Sequence, residues 1–114
     1  MTAIDWSAEI TRAALPQAVL ALLHAGPRHG YALIEVLRDN GFPRIKGGTL
    51  YPLLRRLEDQ ALVDHQWEHD ETGPGRKVFS LTPLGAEELD RAHTAWNHMG
   101  QTLTTLRTTR QDPS

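Results

Sequence analysis

The strongest structural signal in the chain is the stretch 44–60, which reads RIKGGTLYPLLRRLEDQ. Four apolar residues in it and just after it recur at helical spacing and predict one buried stripe: Leu50, Leu54, Leu57 and Ala61. The opposite face carries Gly48, Pro52, Arg55 and Asp59, with Tyr51 on one flank and Thr49 and Arg56 on the other. We therefore predict a short helix that begins between Lys46 and Thr49 and presents small, hydroxylated and cationic groups.

Such a helix front suits the major groove of duplex DNA, because the groove admits an α-helix and its base edges accept hydrogen bonds from arginine. Arg44 and Lys46, just before the helix, would be attracted to phosphates. An amphipathic helix with two arginines usually just has a solvated face. The helix alone leaves both interpretations open.

Composition limits the class of protein. With 114 residues, of which 39% are hydrophobic and 23% charged, the chain is long enough for one domain with a modest core. Cysteine is absent, which excludes disulfides and thiolate metal sites and fits a cytoplasmic protein. No signal peptide is recognised, and the apolar run 18–23 is too short to cross a membrane, so no membrane partner is expected. A net charge of −2 makes any binding of nucleic acid depend on where the cations lie.

Two helices are predicted before this stretch. The first runs from Asp5 to Ala25, in one or two parts, because Pro16 should break, kink or restart it. The second runs from His29 to Asn40 and is followed by Gly41, a typical helix stop. Its predicted inward stripe consists of Leu33, Ile34 and Leu37.

Residues 62–81 change to a period of two, which predicts strands. The turn between them is the Gly/Pro-containing segment 70–75, so that Arg76 and Lys77 lie close to the hairpin tip. Trp67, on the first strand, is expected to pack in the core. A two-stranded hairpin is marginal alone and must pack on the helices, which describes a winged helix–turn–helix.

The last helix opens at Thr82 and Pro83, a cap residue followed by proline at the first helical position. Its apolar residues follow heptad steps: Leu89, Ala92, Trp96, Met99, Leu103 and Leu106. The far half of this helix outruns the small domain, so we predict a symmetric dimer; the alternative is a helix that folds back on its own domain. The predicted fold is mainly α with a small β-hairpin, a winged helix–turn–helix plus a long C-terminal dimerisation helix.

Three segments together resemble the PadR family of bacterial transcriptional regulators: HGYAL at 29–33, GTLYPLLRRLE at 48–58 and GRKVFSLTPLG at 75–85. The short length and single C-terminal helix are similar to the smaller PadR subfamily, whose members dimerise through their first and last helices. The resemblance implies a homodimeric repressor of a palindromic operator in double-stranded DNA, released by a small molecule. We accordingly divide the chain into an N-terminal helical arm (1–17), a winged helix–turn–helix DNA-binding domain (18–82) and a C-terminal dimerisation helix with a frayed tail (83–114).

The resemblance also implies which residues meet DNA. On the recognition helix these are Lys46, Thr49, Tyr51, Pro52, Arg55 and Arg56. On the wing they are Arg76 and Lys77, and at the start of the supporting helix His29 and Tyr31. Two of these residues have an alternative role. For Tyr51 it is packing at the helix flank, and for Arg56 it is a surface ion pair with Asp59.

Trp96 lies halfway along the predicted dimer helix and raises the question of an effector. Paired indoles from two subunits sandwich flat aromatic molecules by stacking, as in some short PadR regulators that bind planar drugs. The predicted site comprises Trp96, Ala92 and Met99, with Leu15 and Ala18 of the first helix as walls. The alternative is that Trp96 only fills the interface, which would leave a DNA-binding regulator without an effector.

Neither metal chemistry nor catalysis is predicted. The histidines lack ligand spacing: His65 and His69, for example, share a strand face but lie about 13 Å apart. No nucleophile elbow, phosphate loop or paired-carboxylate arrangement is present, so we expect no cofactor and no enzyme. The rival from another class is a winged-helix protein–protein interaction module that does not bind DNA.

Overall fold

A computed structural model describes residues 3–69 and 73–109. Within these residues four helices and three strands follow one another: α1 (Trp6–Ala25), β1 (Arg28–His29), α2 (Gly30–Asp39), α3 (Gly47–Asp59), β2 (Val63–Glu68), β3 (Arg76–Leu81) and α4 (Pro83–Thr109). The predicted fold class, mainly helical with a β wing, is confirmed. The turn segment Asp70–Thr72 and the tail from Arg110 onwards lie outside the described residues, so the predicted fraying stays a prediction.

Helix α1 begins with Asp5 as its cap, because the Ala8 N–H donates a 3.0 Å hydrogen bond to the Asp5 carboxylate. The helix continues through Pro16, so the predicted break does not occur. Proline removes one N–H donor, and the carbonyl left without a helical partner belongs to the exposed Arg12, where solvent is at hand to accept this role. The proposed boundary between arm and domain, at 17/18, therefore falls inside an unbroken helix.

Helix α2 ends where the sequence predicts. Gly41 adopts a φ of 97°, a left-handed conformation that glycine enters without a Cβ penalty. The Phe42 N–H then donates back to the Leu37 carbonyl at 3.0 Å, which closes the helix with a Schellman-type turn. After this stop, the short connection 40–46 leads to α3.

Helix α3 ends in the same way but without glycine. Ala61, predicted to continue the buried stripe, instead follows the helix, is exposed and has a φ of 63°. The Leu62 N–H donates to the Leu57 carbonyl at 3.0 Å across this turn. The buried stripe consists of Leu50, Leu53, Leu54 and Leu57. Helical periodicity did not reveal the stop, since alanine is a favourable helix residue.

The sheet has the order β1-β3-β2 and is antiparallel throughout. Strands β2 and β3 pair in the predicted hairpin, from Val63 opposite Leu81 to Glu68 opposite Arg76. The prediction of only two strands is wrong, because β1 pairs with the other side of β3 and adds a third strand to the sheet. A strand of two residues is too short to show any period in the sequence.

One hydrophobic core joins α1, α2, α3 and the base of the sheet. Its buried side chains are Leu15, Val19, Leu20, Leu23, Leu33, Ile34, Leu37, Ile45, Leu50, Leu53, Leu54, Leu57, Leu62, Val63 and Phe79. Helix α4 is attached at its first turn, where the Gly85 N–H donates to the Thr82 hydroxyl at 2.9 Å and that hydroxyl donates to the Ala61 carbonyl. Leu89 packs against the core, and beyond it α4 projects away from the domain.

Candidate nucleic-acid interface

The front of α3 is open to solvent. Gly48, Thr49, Pro52, Arg55 and Arg56 are all exposed, while the leucine stripe on the back is held in the core. Among the described residues, arginine ion pairs form on α1 (Arg12–Glu9) and on α4 (Arg91–Glu88). The ion pair of Arg56 with Asp59, considered above as an alternative, is not among them. The guanidinium groups on α3 thus face solvent on one side of the domain.

Tyr51 connects this helix to the start of α2. A Cβ placed on Gly30 would lie 2.6 Å from both Cε1 and Oη of Tyr51, so the ring rests directly on the Gly30 backbone. The same ring approaches Gly47 at the start of α3. Tyr51 nevertheless stays 48% exposed. Tyr51 is therefore a packing residue on one side of its ring, and the outer edge of the ring remains available to a partner.

The connection into α3 contributes further cations. Lys46 is the residue that caps α3, and it is exposed together with Arg44. The first turn of α3 holds no acidic side chain, and its backbone N–H groups carry the positive end of the helix dipole. The beginning of α3 therefore favours an anion such as a DNA phosphate.

The wing presents its two cations on different faces. Arg76 and Lys77 are both exposed, and because they are adjacent in β3 their side chains leave opposite sides of the sheet. The side chain of His29 contacts the outer half of the wing. Its Nδ1 lies 3.3 Å from the Lys77 carbonyl oxygen, and its Nε2 lies 3.8 Å from a carboxylate oxygen of Glu68.

His29 is therefore only partly open to a partner, since its imidazole spans the junction of α2 and the wing. Tyr31, assigned with it to the supporting helix, is 67% exposed. A second junction joins α3 to the wing: Nδ1 of His65 lies 2.9 Å from a Glu58 carboxylate oxygen, in a partly buried pair. Sequence reasoning missed both junctions, because each pairs residues on different elements without any local pattern.

The predicted core position of Trp67 is wrong, because its side chain is 56% exposed. The face of β2 that begins at buried Val63 becomes exposed towards the wing tip. Strand alternation correctly identifies the face, but it does not show where the helices beneath the wing end. On the opposite strand the same change occurs between Phe79, which is buried, and Lys77, which is exposed.

The predicted effector residues lie in two places. Trp96, Met99, Leu103 and Leu106 are exposed along α4, whereas Ala92 is partly buried. Leu15 is a core residue, and Ala18 packs partly buried against the core. Leu15 also lines a groove of about 720 Å³ between α1, the connection 41–45 and α3, near Arg12, Arg44 and Arg56. Trp96 does not line this groove, so one subunit alone does not assemble the predicted site.

Within residues 3–69 and 73–109, no three His, Asp or Glu side chains come together as metal ligands. None of the helices in the same part of the chain combines the length and apolar character needed to cross a membrane.

Three packed helices, a wing and a cationic helix front define the winged helix–turn–helix class of protein. Comparison with known proteins specifies the family. The model of the transcriptional regulator PadR-like family matches residues 19–91, so the chain belongs to that family. Because the family consists of transcriptional regulators, the expectation that the chain is not an enzyme is confirmed.

Individual relatives agree. The chain is 39% identical over 82 residues to a transcriptional regulator of Mycobacterium tuberculosis, covering 71% of this chain and 74% of that protein. It is 40% identical over 73 residues to an uncharacterized transposon protein of Streptomyces fradiae, covering 64% of this chain but only 20% of that longer protein.

Solved structures support the same family. A PadR family regulator of Eggerthella lenta superposes with a TM-score of 0.80 at 36% identity, covering 86% of this chain and 85% of the other. PadR of Bacillus subtilis, solved in complex with operator DNA, superposes with a TM-score of 0.62 at 26% identity, covering 68% of this chain and 45% of the other.

Proposed function

We propose that this chain is a homodimeric transcriptional repressor that binds a palindromic operator in double-stranded DNA through α3 and the wing. The observation that carries the proposal is the exposed front of α3, with two arginines and a hydroxyl, together with a wing whose strand β3 begins with two exposed cations, Arg76 and Lys77. The solved complex of Bacillus subtilis PadR with operator DNA supports it by analogy of fold. A regulator of this kind acts in the cytoplasm, where the operator lies.

The exposed side chains divide into two roles. Arg55 and Thr49 lie on the front of α3 and are our candidates for contacts with base edges, with Tyr51 and Pro52 against the groove wall. Lys46, Arg56, Arg76 and Lys77 are assigned mainly to phosphates, and His29 and Tyr31 support them from the start of α2. Phosphate contacts position the protein, and base contacts provide sequence preference.

The shape of α4 supports the proposed dimerisation. Its 27 residues span about 40 Å at 1.5 Å per residue, and the seam residues beyond Ala92 are exposed in a single subunit. Their burial against a second copy would stabilise the pair, since removing a large apolar side chain from water contributes about 1.5–3 kcal/mol. A two-fold dimer also places two α3 helices in successive turns of one duplex.

The DNA assignment is tested with a duplex that the wild-type chain enriches from a random-sequence library. Arg55→Ala should weaken binding by about 1–3 kcal/mol, and Arg76→Ala should lower the salt slope of log affinity by about one. Arg91→Ala, which removes the same charge from α4, is the matched control and should change affinity little. Unchanged affinity in both test variants, or failure of the wild type to enrich any duplex, would favour the interaction-module alternative.

The effector site is the finer part of the proposal. Trp96 is 42% exposed in one subunit, and in the dimer it would meet or approach its symmetry mate and hold a planar aromatic ligand between two indoles. The test uses a protein with Trp6→Phe and Trp67→Phe, which leaves Trp96 as the only tryptophan. Quenching of its fluorescence by a planar cationic dye, together with release of DNA, is expected. Absence of quenching by any such dye would leave only the packing role.

A further inference from the structure

An aromatic cluster covers one face of the wing near its tip. Trp67 stacks on His69 with ring centroids 6.4 Å apart and an interplanar angle of 22°. Lys77, directly opposite Trp67 in the neighbouring strand, places its ammonium 5.7 Å from the indole centroid. None of the DNA assignments above includes Trp67 or His69.

The cluster also touches the backbone that leads into the two wing cations, Arg76 and Lys77. A Cβ on Gly75 would lie 2.7 Å from Cε1 of His69 and 3.3 Å from Cε3 of Trp67, so both rings lie against this glycine. Gly75 immediately precedes Arg76. The rings therefore support the strand at the point where it delivers both wing cations.

Trp67 is largely exposed, although it lies on the face of β2 that begins in the core. Its side chain is outside the buried core, and it is more than half exposed on the outer half of the paired strands. The indole lies directly opposite Lys77, a residue assigned to DNA, and its exposed face is turned towards that ammonium. Besides His65, His69 and Gly75, the indole contacts Lys77, a residue assigned to DNA.

We propose that Trp67 is a positioning residue for DNA binding, which orients the Lys77 ammonium through a cation–π contact and, with His69, holds the Gly75–Lys77 strand for phosphate contact. This inference rests on the proposed function, because it needs the wing to meet DNA. A long lysine side chain samples many rotamers, and an aromatic face within about 6 Å restricts them. Trp67 itself touches no DNA in this account.

The size of the effect follows from the strength of an exposed cation–π contact. Such a contact corresponds to about a two- to fivefold change in an equilibrium constant. Trp67→Ala should therefore lower operator affinity by about this factor and reduce the salt slope by up to about one, since the Lys77 contact with phosphate is weakened. Trp67→Phe keeps an aromatic face and should restore most of both quantities.

The experiment measures fluorescence anisotropy of the enriched duplex at several salt concentrations for Trp67→Ala, Lys77→Ala and the double variant. The loss caused by Trp67→Ala should largely disappear when Lys77 is already alanine, because both changes remove one contact. Trp6→Ala, which removes another exposed tryptophan at the start of α1, is the control and should bind like the wild type. Thermal unfolding of each variant is measured as well, and a cooperative transition near that of the wild type is expected if the fold is retained.

Three results would overturn the inference. One is that Trp67→Ala binds the duplex with the affinity and salt slope of the wild type. Another is that Trp67→Ala lowers the affinity equally with and without Lys77. The third is a Trp67→Phe variant that binds no better than Trp67→Ala. Failure of the proposed function is distinguishable from all three, because it would appear as absence of binding by the wild type or as no effect of Arg76→Ala.

Discussion

Gly30→Ala is the substitution whose effect the structure defines most sharply. The added Cβ would lie 2.6–2.7 Å from three atoms of the Tyr51 ring, closer than packed atoms allow. Gly30 has no left-handed backbone angle, so alanine is conformationally acceptable there and the effect comes from the ring alone. Tyr51 must rotate away, which opens the contact between the starts of α2 and α3.

The magnitude follows from two opposing contributions. Overpacking of a close contact typically destabilises by about 1–3 kcal/mol. Alanine in place of a helical glycine raises the free energy of unfolding by up to roughly 0.5–1 kcal/mol. We expect a net loss of about 1–2 kcal/mol in the free energy of unfolding. In a Tyr51→Ala background the ring is absent, so the same Gly30→Ala change should be neutral or stabilising.

The assay is urea unfolding of four proteins: the wild type, Gly30→Ala, Tyr51→Ala and the double variant. All four are measured at one subunit concentration, since the stability of a dimer depends on concentration. Tyr51→Ala alone will also lower affinity for DNA if its outer edge meets the groove, but the stability cycle does not depend on that. An equal loss from Gly30→Ala with and without Tyr51 would refute the reasoning, as would no loss in the wild type.

Three further predictions concern α4 and the end of α3. A Cβ on Gly85 would overlap the backbone carbonyl oxygen of Leu62, so Gly85→Ala should lower the melting temperature by about 10 °C or more. Gly100→Ala, where a Cβ would meet nothing within 4 Å in its own subunit, should leave the melting temperature unchanged or raise it. Similar shifts in both variants would contradict this prediction. Ala61→Gly should raise the free energy of unfolding by about 0.5 kcal/mol, because it removes a left-handed alanine, and a loss in urea unfolding would count against the strained turn. Leu103→Asp, on the exposed seam, should yield single subunits in sedimentation velocity, and an unchanged oligomeric state would place the interface elsewhere.

Most of the fold could be predicted because its signals are local. The leucines of α3 recur at helical spacing, the hairpin alternates with a period of two, and Thr82-Pro83 opens α4 as capping rules expect. The front of α3 followed from the same periodicity, since the side opposite a buried stripe must face solvent. Leu53 was missed although its spacing from Leu50 and Leu57 made it available.

The features that were missed depend on contacts between distant parts of the chain. Strand β1 forms because β3 offers it a free edge, not because two residues have a pattern. Tyr51 meets Gly30 across 21 positions, and only the three-dimensional packing reveals why a glycine precedes Tyr31. Trp67 lies on the face that periodicity assigns to the core, but the helices do not extend beneath it.

The central claim is that two copies of the chain place their α3 helices in successive turns of one duplex. The most direct measurement is a hydroxyl-radical footprint of the wild-type chain on the duplex it enriches. The account predicts two equivalent protected regions whose centres lie about 10 bp apart, or a multiple of one helical turn. A single protected half-site at saturation, or no protection at any concentration, would contradict it.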